Sequence, residues 1–185
     1  MENRKIRLGS SSQTRAKLLK DAGIDFIQSP VDFDEDQIVA TSPKNFVYQA
    51  TLGKFEAGFK AYGIDDLPLL CADTVVSSQG QILRKAKCVD DARNILMTQS
   101  GNVTSIVTCM IYQDKNKKLI DISSTDYLFS SFDMNDLEGY LDSGLWRGKA
   151  GACMVEGFCQ KYIKEVRGYE SCAMGLTVDK LIPFL

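Results

Sequence analysis

The sequence predicts an α/β fold: a mixed, twisted sheet flanked by helices, spanning residues 1–185 as one domain. Three observations carry this. Strand-like and helix-like runs alternate through the N-terminal part of the chain, the pattern of a sheet with crossover helices. Two long strand patterns then follow each other across the polar turn "DKNKK" (114–118), a hairpin that makes the sheet mixed. The 185 residues, 44% of them hydrophobic, suffice for one sizeable core and are marginal for two.

The elements follow in order. "KIRLGSSSQTRAKLLKDAGI" reads as strand, turn, helix, with Ile6 and Leu8 in the strand and Gly9 to Ser12 as a small polar turn. Ser11 or Ser12 caps a helix running to about Ala22, and Gly23 fits its C-terminal stop. "DFIQSP" is a short strand halted by Pro30, followed by the acidic loop "VDFDEDQIVA". "TSPKNFVYQATLGKFEAGFKAYG" is the clearest helix: Ser42 is the N-cap, Pro43 takes the first helical position and Gly63 ends it. Val47, Ala50, Ala57 and Ala61 share a face, and Lys54 falls in the same stripe. "LLCADTVVSS" is a strand with "QGQIL" as its turn and return. "KCVDDARNILMTQSG" is a helix with Val89, Ala92 and Leu96 on one face. "NVTSIVTCMIYQ" and "KLIDISSTDYLFSSF" are the hairpin strands. "DMNDLEGYLDSG" is a short helix capped by Asp133, with Leu137 and Leu141 inward. "CQKYIKEVRG" is ambiguous between helix and strand, and "CAMGLTVDKLIPFL" reads as a terminal helix. There are no internal repeats and no low-complexity segment.

Composition removes several classes of function. A net charge of −2 and a sequence pI of about 5.2 give no broad basic field, which argues against nucleic acid as a partner. No apolar run reaches membrane-spanning length, and "MENRKIRLGSSS" lacks the apolar core of a signal peptide, so neither a membrane span nor an export signal is expected. The six cysteines form no CxxC pair, and most sit in apolar stretches, as buried reduced thiols of a cytoplasmic protein do. Histidine is absent. That removes Ser-His-Asp triads, Cys-His dyads and histidine-held metals. Acid–base chemistry falls to carboxylates, lysine, tyrosine or metal-bound water, and a metal site would be built of oxygens, as suits Mg²⁺ or Mn²⁺.

Some polar residues contradict their local pattern, which is where function tends to show. Asp73, with Thr74 beside it, interrupts an apolar strand, where an unpaired charge is expensive. One reading is a strand-end aspartate satisfied by backbone donors; the other places it at the C-terminal end of a sheet strand, where α/β proteins build sites. Lys54 either runs its stem to the surface or points into a cleft toward a carboxylate or phosphate. The "GSSSQTR" turn exposes N–H groups at a helix start, and Arg15 suits that place only if an anion sits there too. Arg84, Lys85 and Lys87 form a basic cluster before a helix, "DFDED" (32–36) is a surface loop or a cation lure, and Lys149 and Glu156 stand in a glycine-rich segment. Together these amount to carboxylates for a metal and cations for phosphates, the inventory for metal-assisted attack on a phosphoanhydride.

At this point the motifs resemble a family, the Maf nucleoside triphosphate pyrophosphatases. "LGSSSQTRAKLL" resembles its "LASxSPRRxxLL", "FDE" (33–35) its "xDE", "ATLGKFEA" its "LAxxKAxA" and "CADTVV" its "xADTVV". "GQILRKAKCVDDARNIL" resembles "GxILGKPxxxxEAxxxL", "SGNVTSIVTCMIY" matches "SGxxHxVxTGxxL" and "WRGKAGACMVEG" resembles "xxDKAGAYxIQG". The resemblance implies two lobes around a central cleft, similar to the inosine-triphosphate pyrophosphatases, and hydrolysis of a nucleoside triphosphate to the monophosphate and pyrophosphate with a divalent cation. It makes Asp73 the proton acceptor, gives Ser10, Arg15, Lys54 and Lys85 to the phosphates, and Asp73 with Glu35 to the metal. Thr14, Thr74 and Glu156 occupy positions tied to base choice. The chain departs at Thr14 for an arginine, Ala86 for a proline, Thr104 for a histidine and Glu156 for a glutamine. "VEG" is similar to the branch acting on 7-methyl-GTP and "ADTVV" to the branch acting on dTTP and UTP, so the two point to different bases. Modified or non-canonical nucleotides, a house-cleaning role and a homodimer are implied by the resemblance alone. The family is also associated with inhibition of septum formation, which makes a nucleotide-sensing regulator of division the second reading.

Overall fold

The computed structural model describes residues 5–153 and 155–185, with the side chain of Asp36, one member of the "DFDED" run, outside that description. The elements run β1 (Ile6–Leu8), α1 (Gln13–Asp21), β2 (Phe26–Gln28), α2 (Pro43–Tyr62), β3 (Leu69–Ser78), β4 (Gln81–Leu83), α3 (Val89–Gln99), β5 (Val103–Gln113), β6 (Lys118–Phe129), α4 (Met134–Ser143), β7 (Ile163–Arg167), α5 (Glu170–Ala173) and α6 (Val178–Leu181). Among the described residues, seven strands form one sheet in the order β2-β1-β3-β5-β6-β7, with β4 on β3. It is mixed: β1 is parallel to β2 and β3, while β3–β4 and β6–β7 are antiparallel.

The chain folds into two compact units made of interleaved segments. The first comprises residues up to Thr74, then Val107–Ser124 and Tyr169–Leu185. Its core packs Ile6 and Leu8 of β1, Leu18 and Leu19 of α1, Leu70 and Ala72 of β3, Met110 and Tyr112 of β5, and Leu176, Val178 and Leu181 of the C-terminal segment. α2 begins as its sequence dictates, with the Ser42 hydroxyl accepting from the Asn45 N–H and Pro43 in the first turn. Its buried face is Phe46, Val47, Ala50, Thr51, Phe55 and Gly58. Ala61, assigned to that face by spacing, is exposed because it lies in the last turn.

The second unit comprises Val75–Ile106 and Thr125–Gly168. In it β3 turns back into β4 through Gln79 (φ 51°) and Gly80 (φ 76°). Positive φ at both turn residues is the type I′ geometry that matches strand twist. α3 buries Ala92 and Leu96 as predicted, with Gln99 in place of Val89, which sits exposed in the first turn. Asp133 caps α4, accepting from the Asn135 and Asp136 N–H groups, and Leu137 and Leu141 point inward. Phe158 stacks on Tyr140 with ring centroids 4.5 Å apart and meets Phe132 edge-on at 5.2 Å.

Two expectations are corrected. The predicted terminal helix is three short pieces, α5, α6 and a 3₁₀ turn at Ile182–Phe184. Gly175, at φ 99°, breaks helical geometry between α5 and α6, and Pro183 accompanies the change to 3₁₀. The cysteines are not uniformly buried reduced thiols: Cys71, Cys109 and Cys172 are, Cys88 is exposed, and Cys153 is paired with Cys159 as a disulfide. The two lie six positions apart in sequence with their Cα atoms 6.4 Å apart, although they form no CxxC pair.

Candidate active site

β1 ends at Leu8, and the chain must turn at Gly9 against β3. The Gly9 N–H donates to the Leu70 carbonyl at 2.8 Å. A Cβ at Gly9 would stand 2.5 Å from Cys71 Sγ, so only glycine permits this approach. The turn continues through Ser10, buried, whose hydroxyl oxygen accepts from the Ser12 N–H (3.2 Å) and from Arg15 Nη1 (3.1 Å). Of the two candidate caps, Ser12 takes the role, accepting from the Arg15 N–H at 3.3 Å. Gln28 of β2 braces the turn by donating to the Ser10 and Ser12 carbonyls.

Asp73 lies in the middle of β3, not at its end, and is only 6% exposed. The strand end that matters is its neighbour's. β1 pairs with β3 only at Leu69 and Leu70, so Asp73 lies just past the C-terminal end of that parallel partner, which is where open α/β sheets build sites. Lys54 settles between its two readings: Nζ is 2.5 Å from Asp73 Oδ1 and 2.6 Å from Glu35 Oε1. Glu35 arrives on a 3₁₀ turn (Glu35–Gln37) of the acidic loop. Phe33 of that loop lies against Gly53, where a Cβ would meet its ring within 2.6 Å. Glycine beside Lys54 is thus what lets the loop close on α2.

Arg15 is anchored at three points: Nε donates to the Gly175 carbonyl (2.7 Å), Nη1 to Ser10 and Nη2 to Thr74 Oγ1 (3.2 Å). Thr74 also meets Thr108 Oγ1 at 2.9 Å, and Thr108 donates to the Cys172 carbonyl at 2.8 Å. The electrostatics follow from burial. Burial holds the Asp73 carboxyl above its usual range, with Glu35 adding to the shift and the Lys54 ammonium opposing it. For Lys54, burial pulls downward, but Asp73 and Glu35 outweigh it and raise the ammonium. Burial lowers Arg15 against the pull of Asp73, and pushes the neighbouring Cys71 thiol up to about 12, so it stays neutral.

The first unit therefore gathers Ser10, Arg15, Glu35, Lys54, Asp73 and Thr74 around one point. Thr14, in the first turn of α1, is exposed. Lys85 and Glu156 belong to the second unit, both exposed there. Lys85 pairs its backbone with Ala150, and the Gly151 N–H reaches the Leu83 and Arg84 carbonyls, so the "ILRKA" and "KAGA" strings lie side by side. Burial, with the Glu156 carboxylate adding, pushes the Tyr140 phenol up to about 12. The participants that sequence reasoning missed are Thr108, Gly175 and the Phe33–Gly53 contact. Thr108 carried a signal of the kind that marked Asp73, a polar group inside the apolar run "SIVTCMIY"; Gly175 carried none.

Among the described residues no three carboxylates, cysteines or histidines converge as a ready metal cage. Asp73 and Glu35 do converge, on the Lys54 ammonium, and their oxygens are the hard donors a small divalent cation takes two at a time beside substrate phosphates. The residues present fit such an ion.

The family model described as Maf-like protein matches residues 5–185. A Nitratiruptor sp. protein named nucleoside triphosphate pyrophosphatase is 59% identical over 178 residues, covering 95% of this chain and 96% of its own. Proteins of the same name from Helicobacter pylori (38% identical, 95% and 92% covered) and Campylobacter jejuni (37%, 96% and 98%) are also similar. Among solved structures, the Staphylococcus aureus Ham1 protein aligns over 69% of this chain and 72% of its own, with TM-score 0.48 and 16% identity. The full-length family match and the 59% identity settle the question: the chain belongs to the Maf-like protein family.

Proposed function

We propose that the Asp73–Lys54–Glu35 cluster is the catalytic centre of this chain, a nucleoside triphosphate pyrophosphatase that hydrolyses its substrate to the monophosphate and pyrophosphate. The observation that carries the assignment is a buried carboxylate shared by one lysine with a second carboxylate, just past the end of β1. An ordinary structural salt bridge needs one partner for one charge; here one ammonium serves two carboxylates. The set is ready to take up a further cation.

The physical problem is water attacking a polyphosphate whose negative charge repels it. Two carboxylates balance Lys54 and Arg15, so the cluster by itself offers no net positive charge. A divalent cation, Mg²⁺ or Mn²⁺, held by Asp73 and Glu35 would supply it, neutralising phosphate oxygens and making water more acidic. The chain's own groups do the rest. Asp73 accepts the proton from the attacking water. Lys54 has three N–H donors and uses two on the carboxylates, leaving one for a phosphate oxygen. Arg15 uses three of its five N–H groups on protein oxygens and keeps two. The Ser10 hydroxyl accepts two bonds and retains its own hydrogen to donate. Thr14 and Thr74 bear on the base. We place the reaction in the cytoplasm, in keeping with the lack, among the described residues, of a helix long and apolar enough to cross a membrane.

The test is a panel of ribo- and deoxyribonucleoside triphosphates, modified bases included, with and without Mg²⁺ or Mn²⁺. Monophosphate and pyrophosphate in a metal-dependent reaction are expected. Diphosphate and inorganic phosphate as products would contradict the assignment.

A further inference from the structure

We propose that Thr108 is a positioning residue that fixes Arg15 and Thr74 for the triphosphate. The inference rests on the cluster being the triphosphate site, and it comes from counting hydroxyl hydrogens. Thr108 is fully buried in β5. Its single hydroxyl hydrogen goes to the Cys172 carbonyl at 2.8 Å. In the 2.9 Å contact between the two threonines, Thr108 must then accept and Thr74 donate. Thr74 in turn accepts from Arg15 Nη2 at 3.2 Å. The chain has one polarity throughout: Arg15 to Thr74 to Thr108 to the Cys172 carbonyl. Arg15 also donates to the Gly175 carbonyl, so the Cys172–Gly175 stretch receives both ends of the relay.

Two consequences follow. The Thr74 hydrogen is committed inward, so toward any bound group that hydroxyl can only accept. The guanidinium plane of Arg15 is set by three fixed oxygens before substrate arrives, so less ordering is left to be done on binding. Without the Thr108 hydroxyl, Thr74 is free to turn its hydrogen toward Arg15, where a donor faces a donor, and the guanidinium loses its third anchor. The loss falls on binding geometry more than on the proton transfer at Asp73.

The experiment measures KM and kcat for the triphosphate the panel identifies as substrate, in Thr108→Val, Thr108→Ser, Thr74→Val and the Thr74→Val/Thr108→Val pair, with melting temperatures alongside. Thr104→Val is the control: a buried hydroxyl on the same strand, in the other unit, bonded to Gln99 instead. Thr108→Val is expected to raise KM about tenfold with a smaller change in kcat, Thr108→Ser to restore it, and Thr104→Val to leave KM alone. The double variant is expected to match Thr74→Val, because Thr108 acts through Thr74. If Thr108→Val fails to fold, Thr108→Ala removes the same hydroxyl without adding a methyl group, and a raised KM is again expected. An unchanged KM in folded Thr108→Val or Thr108→Ala, no recovery in Thr108→Ser, or fully additive effects in the double variant would overturn the inference. Asp73→Asn run beside them separates the two levels. If it is inactive while Thr108→Val is normal, only the positioning role fails; if it turns over normally, the site assignment fails and this inference with it.

Discussion

Asp73 must be ionised to take a proton from water, and the fold makes that harder by burying it beside Glu35. The sign is fixed. A carboxyl whose folded pKa is raised loses its charge at a higher pH than usual. In the metal-free protein the Asp73 carboxyl is therefore expected to titrate above the ordinary aspartate range, as followed by the NMR shift of its carboxyl carbon. Glu35→Gln, which removes one of the causes that raise Asp73, is expected to move that metal-free titration to lower pH; a titration that stays in place would detach Glu35 from Asp73. Lys54→Ala removes the cation from between the two carboxylates. At neutral pH it is expected to cost about 3 kcal/mol, as breaking a buried pair does. The cost shrinks in mild acid, where Asp73 can protonate, so thermal unfolding at two pH values reads the difference. Asp73 and Lys54 were legible in the sequence because each is a charge in an apolar pattern. Their contact was not legible, because sequence spacing does not say that α2 and β3 meet at those positions. Thr108 went unnoticed because a hydroxyl in an apolar run is a far weaker signal than a charge there; its hydrogen-bond count is what singles it out.

At the scale of elements, the site depends on where short pieces stop. β1 is three residues long, and its early end leaves Asp73 accessible to side chains from the Gly9–Ser12 turn and from α2. Caps and strand limits of this kind are local, which is why Ser42, Pro43, Gly63, Asp133 and the bounds of β3 were readable without a structure. The C-terminal segment was misread because the apolar spacing of "LTVDKLIPFL" imitates a helix while Gly175 and Pro183 interrupt it. That segment then supplies the Gly175 and Cys172 carbonyls that hold Arg15 and Thr108. Gly53→Ala tests the loop–helix contact. Alanine favours an exposed helix interior by about 1 kcal/mol over glycine, but its Cβ must displace the Phe33 ring, and Glu35 is two residues away. Calorimetry is expected to show a melting temperature changed by only a few degrees while kcat/KM falls severalfold. Unaltered kcat/KM would mean that the acidic loop does not need its seat on α2.

For the whole molecule, composition sets the chemistry before the fold does. With no histidine and a net charge of −2, the chain has few ways to neutralise a polyphosphate, and the proposed catalytic cluster is itself balanced. Chelation with EDTA is accordingly expected to take the rate to background, with Mg²⁺ or Mn²⁺ restoring it and far-ultraviolet circular dichroism unchanged throughout. A rate indifferent to EDTA would show that Lys54, Arg15 and their neighbours suffice alone. The α/β class and the mixed sheet could be read from periodicity, because strands and helices carry different repeats. The division into two interleaved units could not, since β3, β5 and β6 each pass from one unit to the other without a break in pattern. Nor could the Cys153–Cys159 pairing, since spacing alone does not say which cysteines meet in space.

Pyrophosphate release by Asp73→Asn at saturating triphosphate and metal tests the assignment most directly. Asparagine keeps the shape and can still meet Lys54, but it cannot accept the proton. The turnover is predicted to fall by about 10²–10⁴-fold, the usual worth of a general base, with the thermal transition still cooperative. Turnover near that of the unaltered protein would contradict the account.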